Sequence, residues 1–363
     1  MGRGQMQRKW PVALAASLLL RHGEGYMNPQ RSGCLVSALI VSLILLSFSV
    51  VGNLAFLGAR EAMSTTTGGP EKFEETVLVP AKEKDEADKI VVVNLRGVIS
   101  GFEPGSYGDT AVDDIKLQLR QAADDAKVKA VVLNIDSPGG EVTASDTIYN
   151  AVRKFRDEKK KPVVVYMGSM AASGGYYVAC GGSHLIANET TFTGSIGVIM
   201  QSLKYKALFD KVGLEFVTFK SGKLKDMLSG SRDLTDEERD YIQKMIMQTY
   251  GKFVGIVAKE RKLPEDQLRN GIADGRVVSG KDALDAKLID QVGEVEDAYA
   301  KAIALGGAKN ARIVRYVSPM GFGRFLRIFG KADASRKVEV DFHAALPKLE
   351  AGRAYYLPSF FAP

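Results

Sequence analysis

Three short runs rich in β-branched residues, at 90–95, 130–135 and 162–166, constrain this chain's fold more than any other feature. The first, Ile90-Val91-Val92-Val93-Asn94-Leu95, has the composition of a strand buried on both faces, and the second ends in Ser-Pro-Gly-Gly. Between them, residues 112–126 and 144–155 carry apolar side chains at helical spacing. Residues 173–179 read as a helix of small residues, and 185–187 and 215–219 as further strands. Residues 235–262 predict a long helix, with Thr235 and Glu238 at capping-box spacing at its start. Strands alternating with helices imply an α/β fold with a mostly parallel sheet covered on both faces. No internal repeat is visible, so this α/β domain is expected once.

Ahead of this region, residues 32–59 carry no charge, and 34–57 are dense in Leu, Val, Ile, Ala and Phe. About 20 apolar residues span a bilayer, and a buried helix of a soluble core is rarely uncharged on every face over this length. Arg3, Arg8, Lys9, Arg21 and Arg31 precede the segment and Glu-rich sequence follows it. The bias places the N-terminus in the cytoplasm and the remainder outside. An earlier apolar run at 10–20 is too short to span and lacks a small-residue cleavage pattern, so a signal-anchor reads better than a cleaved signal. Met27 is an alternative start. The chain thus parses as a cytoplasmic segment (1–33), a transmembrane signal-anchor (34–58), a flexible Gly/Thr/Pro/Glu-rich stalk (59–89), a catalytic domain (90–310) and a C-terminal extension (311–363).

The net charge of +6 does not indicate nucleic acid, because acidic and basic residues are interleaved with no basic block. Two cysteines are too few for a disulfide framework. Cys34 opens the apolar segment and Cys180 lies among small residues, so both read as plain apolar positions. No His/Cys cluster, P-loop or GxGxxG signals a metal or nucleotide, and no cofactor is expected.

The chemistry rests on a serine and a lysine. Ser173 lies in Met167-Gly168-Ser169-Met170-Ala171-Ala172-Ser173-Gly174-Gly175-Tyr176-Tyr177, directly after the run at 162–166. A serine at a strand-to-helix turn has its hydroxyl near N–H groups that no helical turn satisfies. Lys225 lies in Phe219-Lys220-Ser221-Gly222-Lys223-Leu224-Lys225-Asp226. A lysine acts as general base only when desolvation favours the neutral amine. Ser169 competes with Ser173, and Lys223 with Lys225. Of the three histidines, His22 precedes the apolar segment and His343 lies in the tail. His184 alone falls in the domain, where it reads as an exposed loop residue.

The Met167–Tyr177 string, Asp136-Ser137-Pro138-Gly139-Gly140, Thr193-Gly194-Ser195-Ile196-Gly197 and Ala273-Asp274-Gly275-Arg276-Val277 occur in the order and near the spacing of the signal peptide peptidase A family. The chain resembles that family over roughly residues 90–305. The resemblance implies a ClpP/crotonase-like fold of repeated β-β-α turns, preceded here by the single N-terminal transmembrane helix. It favours Ser173 as nucleophile and Lys225 as base. It implies an oxyanion hole from the backbone N–H groups of Gly140 and Ser173, with Ser195 orienting the lysine. Single-copy members of the family complete each site across a subunit boundary, which implies a homo-oligomer anchored in a bacterial cell membrane with its catalytic domains outside. The substrates implied are signal peptides and other unfolded apolar peptides. Three rival readings have weaker support. A membrane-bound ClpP-class protease with a stomatin-like partner usually carries further spans. A crotonase-type acyl-CoA enzyme would not need Lys225. A non-catalytic scaffold would be signalled by loss of Ser173 or Lys225. The uncharged end, residues 354–363, resembles a substrate peptide, and is expected either in a binding groove or as a strand sealing a subunit contact.

Overall fold

The computed structural model describes residues 40–53, 72–83, 87–101, 110–318 and 355–356. The chain divides into two units, Met1–Gly69 and Pro70–Pro363. In the first, residues 40–53 form helix α1, with its apolar side chains exposed. At 1.5 Å per residue α1 is about 21 Å long, against roughly 30 Å for a bilayer core. Among the described residues no helix is long and apolar enough to cross a membrane. The flanks of the expected span, 34–39 and 54–58, lie outside them.

The second unit is built on one sheet of strands β1 (Glu74–Val79), β2 (Asp88–Ile99), β3 (Val128–Glu141), β4 (Val163–Ala172), β5 (His184–Ala187), β6 (Phe192–Gly194), β7 (Val277–Ser279), β8 (Gln291–Val292), β9 (Ala311–Val317) and β10 (Tyr355–Tyr356). The main path runs β1-β9-β2-β3-β4-β5-β8. All its neighbours are parallel except β1 and β9. The intervening helices are α2 (Ala111–Asp124), α3 (Val142–Lys159), α4 (Gly174–Ala179), α5 (Lys206–Val212), α6 (Asp236–Arg261), α7 (Glu265–Arg269), α8 (Gly280–Asp285) and α9 (Val295–Gly306).

Alternation along the central strands decides how they are covered. Val91, Val93, Leu95, Val131, Leu133, Ile135, Val163, Val165 and Met167 face one core, shared with α2, α3, α4 and the second half of α6. The intervening Ile90, Val92, Ala130, Val132 and Val164 face another, against Ala298 and Ala302 of α9. Burial of each large aliphatic side chain stabilises by about 1.5–3 kcal/mol, so strands apolar on both faces belong at the centre.

Helix α6 starts with the expected capping box, Thr235 and Glu238 exchanging bonds with each other's N–H groups. Its far end is anchored by Arg156 on Glu260 at 3.0 Å and Arg261 on Asp290 at 2.7 Å.

Several boundaries differ from the sequence expectation. Part of the expected stalk is strand β1, which pairs with β9 although all six residues are exposed. The edge position explains this, since pairing satisfies the backbone without burying a side chain. Likewise β9, placed in the C-terminal extension, runs between β1 and β2 as part of the domain. Residues 215–219 form no strand. They have no neighbour to pair with among the described residues, and Phe216, Val217 and Phe219 stand exposed.

Candidate active site

Strand β4 positions the serine. It pairs with β5 as far as Met167, then bends and pairs with β6 from Met170 to Ala172. It therefore runs well past the expected end at 166, and α4 begins at Gly174, with Ser173 between them at φ 52°, ψ −114°. This lies outside the regions open to most residues, a strain of order 1–3 kcal/mol that surrounding contacts must hold in place. Two bonds do so: the Ser173 N–H donates to Gly194 O at 2.8 Å, and the Tyr177 N–H donates to Ser173 O at 2.8 Å. Ser173 Oγ is buried and makes no hydrogen bond among the described residues. Ser169 is exposed within β4.

The Ser173 N–H expected in the oxyanion hole is thus already engaged. Its bond to Gly194 continues the β4–β6 pairing one residue past the strand end. The opening N–H groups of α4, those of Gly174, Gly175 and Tyr176, show no acceptor among the described residues, and that of Gly174 is the one next to the serine. Gly140 lies alongside. A Cβ on Gly174 would sit 3.1 Å from Gly140 N and 2.5 Å from Ser145 Oγ, while one on Gly140 would sit 2.0 Å from Ile99 O. Neither position has room for a side chain, which is why two glycine turns can interlock here. Ser137 anchors the second turn, donating from Oγ to Gly97 O at 2.6 Å and accepting from the Gly139 N–H at 3.1 Å.

Ser195, at φ 50° and buried, follows directly on Gly194 and donates its N–H to Arg276 O at 2.7 Å. Arg276 is itself held by Asp274 at 2.6 Å. The Asp-Gly-Arg motif thus has a supporting role: it braces the loop that braces Ser173.

Lys225 is exposed on a turn where its N–H donates to Gly222 O at 3.1 Å. Its side chain makes no hydrogen bond or ion pair among the described residues. Its neighbours do: Lys220 pairs with Asp226 at 2.8 Å and Lys223 with Glu237 at 2.6 Å. Arg232 lies between Asp226 and the buried Glu238, bonding both. Arg232 first, then Lys220, holds the Asp226 carboxyl well below the usual range. A general base must be neutral, and a carboxylate partner opposes that. Of the three lysines, only Lys225 is free of one. Among the described residues of one chain, then, Ser173 Oγ and the Lys225 side chain are both without hydrogen-bonded partners.

His184 does not serve this serine. It pairs at the level of Val164, at the start of β5, whereas Ser173 follows the end of β4. Its ring lies 3.8 Å from Asp290, and burial lowers its pKa against the pull of that carboxylate. Burial pushes the Cys180 thiol up to about 12, in keeping with an inert apolar position. A cavity of about 530 Å³ lies around Phe209, Phe216 and Arg232, and its lining includes neither Ser173 nor Lys225. The C-terminal strand β10 meets the site directly: it pairs antiparallel to β3 with Tyr356 opposite Gly140 and Tyr355 opposite Glu141.

The missed features carried little sequence signal. The Gly174 N–H is invisible until Ser173 is seen to bond Gly194, and Ser145 sits in an ordinary helical pattern.

A bent parallel sheet presenting a strained, unpartnered serine beside interlocked glycine turns defines a ClpP-like serine hydrolase. Residues 155–309 match the profile of peptidase family S49, and residues 101–191 match that of Clp protease. A protein of Enterococcus faecium named for signal peptide peptidase SppA is 36% identical over 290 residues, 76% of this chain and 81% of that protein. A protein of Methanocaldococcus jannaschii named as a protease is 43% identical over 53% of this chain and 61% of its own length. Protease 4 of Salmonella typhi is 36% identical over 67% of this chain and 38% of its own length. The chain belongs to the signal peptide peptidase A family of S49 serine peptidases.

Proposed function

We propose that this protein is a membrane-anchored endopeptidase in which Ser173 of one protomer is activated by Lys225 of another. The observation that carries the reading is that both groups are unpartnered among the described residues of one chain, the serine buried and the lysine exposed. The exposed apolar side chains flanking the lysine turn, Leu203, Leu208, Val217 and Phe219 among them, favour burial of this segment against a second copy.

The neutral Lys225 amine takes the Ser173 proton as Oγ attacks the scissile carbonyl. The N–H groups of Gly140 and Gly174 stabilise the resulting oxyanion. The lysine ammonium protonates the departing amine, and the neutral lysine then deprotonates the water that hydrolyses the acyl-enzyme. Ser195 orients the amine through its hydroxyl, as the acid does for histidine in a triad. The pairing of β10 on Gly140 and Glu141 supports an extended substrate lying antiparallel to β3. Such a site admits unfolded chains, and signal peptides left in a membrane are the substrates proposed. The uncharged segment at 34–57 supports the anchor, with the catalytic domain outside the cell membrane.

The test uses a fluorophosphonate probe and mixed protomers. Ser173→Ala and Lys225→Ala should each be inactive. Co-assembly of the two should restore part of the activity, through sites that combine an intact serine with an intact lysine. Co-assembled mixtures with no recovery would place each dyad within one subunit.

A further inference from the structure

Four buried side-chain polar atoms among the described residues lack a hydrogen-bond partner, and two of them, Ser173 Oγ and Ser145 Oγ, adjoin Gly174. A nucleophile awaiting substrate accounts for the first. Ser145 has no such account. It lies in the first turn of α3 and is fully buried. A hydroxyl inside a helix ordinarily turns back onto the carbonyl one turn earlier, and Thr147 of the same helix does so, onto Thr143 O at 2.8 Å. Ser145 instead faces the serine turn. The point 2.5 Å from its Oγ where a Gly174 Cβ would stand is also 3.1 Å from Gly140 N. The hydroxyl therefore abuts the junction of the two glycine turns whose amides serve the reaction. Buried hydroxyls are rarely left unpaired, and one that is calls for an explanation, of which a catalytic role is one.

We propose that Ser145 is a third hydrogen-bond donor to the oxyanion formed on the substrate, beside the amides of Gly140 and Gly174. The proposal rests on Ser173 being the nucleophile. As the Ser173 Oγ–carbon bond forms, the carbonyl π pair moves onto oxygen and the Ser173 proton passes to Lys225. Ser145 keeps its own proton and only donates a hydrogen bond. On collapse the C=O re-forms, the C–N bond breaks and the amine leaves with the proton held by Lys225. A bond absent in the resting enzyme and made to developing charge favours the transition state over the ground state, and so acts on kcat.

The experiment compares full-length wild type with Ser145→Ala in peptidase kinetics, fluorophosphonate labelling and thermal melting. Loss of a primary oxyanion donor slows catalysis about 10²–10³-fold, and an auxiliary hydroxyl is expected to give about 10–100-fold in kcat with KM nearly unchanged. Labelling of Ser173 should slow in parallel. Melting of the unlabelled protein should stay constant or rise, because the variant loses an unsatisfied buried group. A wild-type labelling rate, or a raised KM at constant kcat, overturns the proposal. Ser145→Cys fills the same space with a weak donor. If Ser145→Ala fails to fold, the thiol variant is read by the same criteria. Recovery of full activity by the thiol marks a packing role and likewise overturns it. Failure of the nucleophile reading looks different: wild type itself would then carry no adduct on Ser173 by mass spectrometry.

Discussion

The Ser173 amide donates to the Gly194 carbonyl at 2.8 Å, and the residue after that carbonyl, Ser195, donates in turn to Arg276 O at 2.7 Å. The turn bearing Ser173 is thereby tied to two segments distant in sequence. The strained Ser173 conformation persists because both loops hold it, and Asp274 holds the second through Arg276. Motifs that look separate in the sequence form one backbone unit around one serine.

Ser173→Ala should abolish covalent labelling and peptidase activity while oligomer size stays unchanged. Ser169→Ala should leave both within about twofold of wild type, because that side chain is exposed within β4. Labelling assays on the two variants decide the matter. The reverse outcome would move the nucleophile to Ser169.

Activity should rise toward alkaline pH along a single limb, because the base must lose its ammonium proton before it can accept the one on Ser173. The measurement is kcat/KM against pH for wild type and His184→Ala, with superimposable profiles expected. A limb near the ordinary histidine value of about 6.5 that disappears in His184→Ala would indicate histidine chemistry.

Arg232 should protect the lysine turn from acid. It holds the Asp226 and Glu238 carboxyls below their usual range. Their stabilising contribution is therefore fully present above the unfolded carboxylate value of about 4. It is lost as pH falls through the folded value, which is about 2 for Glu238. Arg232→Ala should shift loss of structure around residues 220–238 toward higher pH, read by hydrogen exchange, and lower kcat near neutrality by misplacing Lys225. Unchanged exchange between pH 5 and about 2 would show that the ion pairs contribute nothing to the turn.

Removal of the C-terminal segment should relieve competition for the strand position beside Gly140. A tethered peptide has a high effective concentration, so even weak pairing of β10 with β3 inhibits appreciably. Truncation after Gly352 is expected to lower the apparent KM with the assembly intact. Lower activity together with dissociation of the oligomer, seen by light scattering, would assign the segment to a subunit contact instead.

The elements legible in the sequence are those set by strong local patterns, although β2 and β3 run on to Ile99 and Glu141, so that the Ser-Pro-Gly-Gly expected to end the second strand lies within it. Strands at 90–95 and 130–135 were legible because both their faces are apolar. Helix α6 was legible because Thr235 and Glu238 cap it locally. Strand β1 was not, since six exposed residues carry no burial pattern, and only pairing with β9 makes them a strand. Conversely, residues 215–219 have strand-like composition but no neighbour to pair with among the described residues. The serine turn is legible to within a residue of its helix start, but the engagement of the Ser173 N–H by Gly194 is not. Which N–H remains free depends on where Gly194 lies, and that is a long-range fact.

By itself the sequence determined the α/β class, the strand-to-helix turn that carries Ser173, the glycines that let two turns interlock, and a lysine spaced far from that serine. Local sterics and burial are properties of short stretches and can be read from them. Only the tertiary structure decided that, among the described residues, Lys225 alone of three neighbouring lysines has no carboxylate, that the Ser173 N–H is taken by Gly194 while that of Gly174 has no acceptor, and that Ser145 faces the same turn unpaired. Those outcomes depend on which segments the sheet brings together, because a hydrogen bond or ion pair acts only over a few ångströms of space, whatever the separation along the chain.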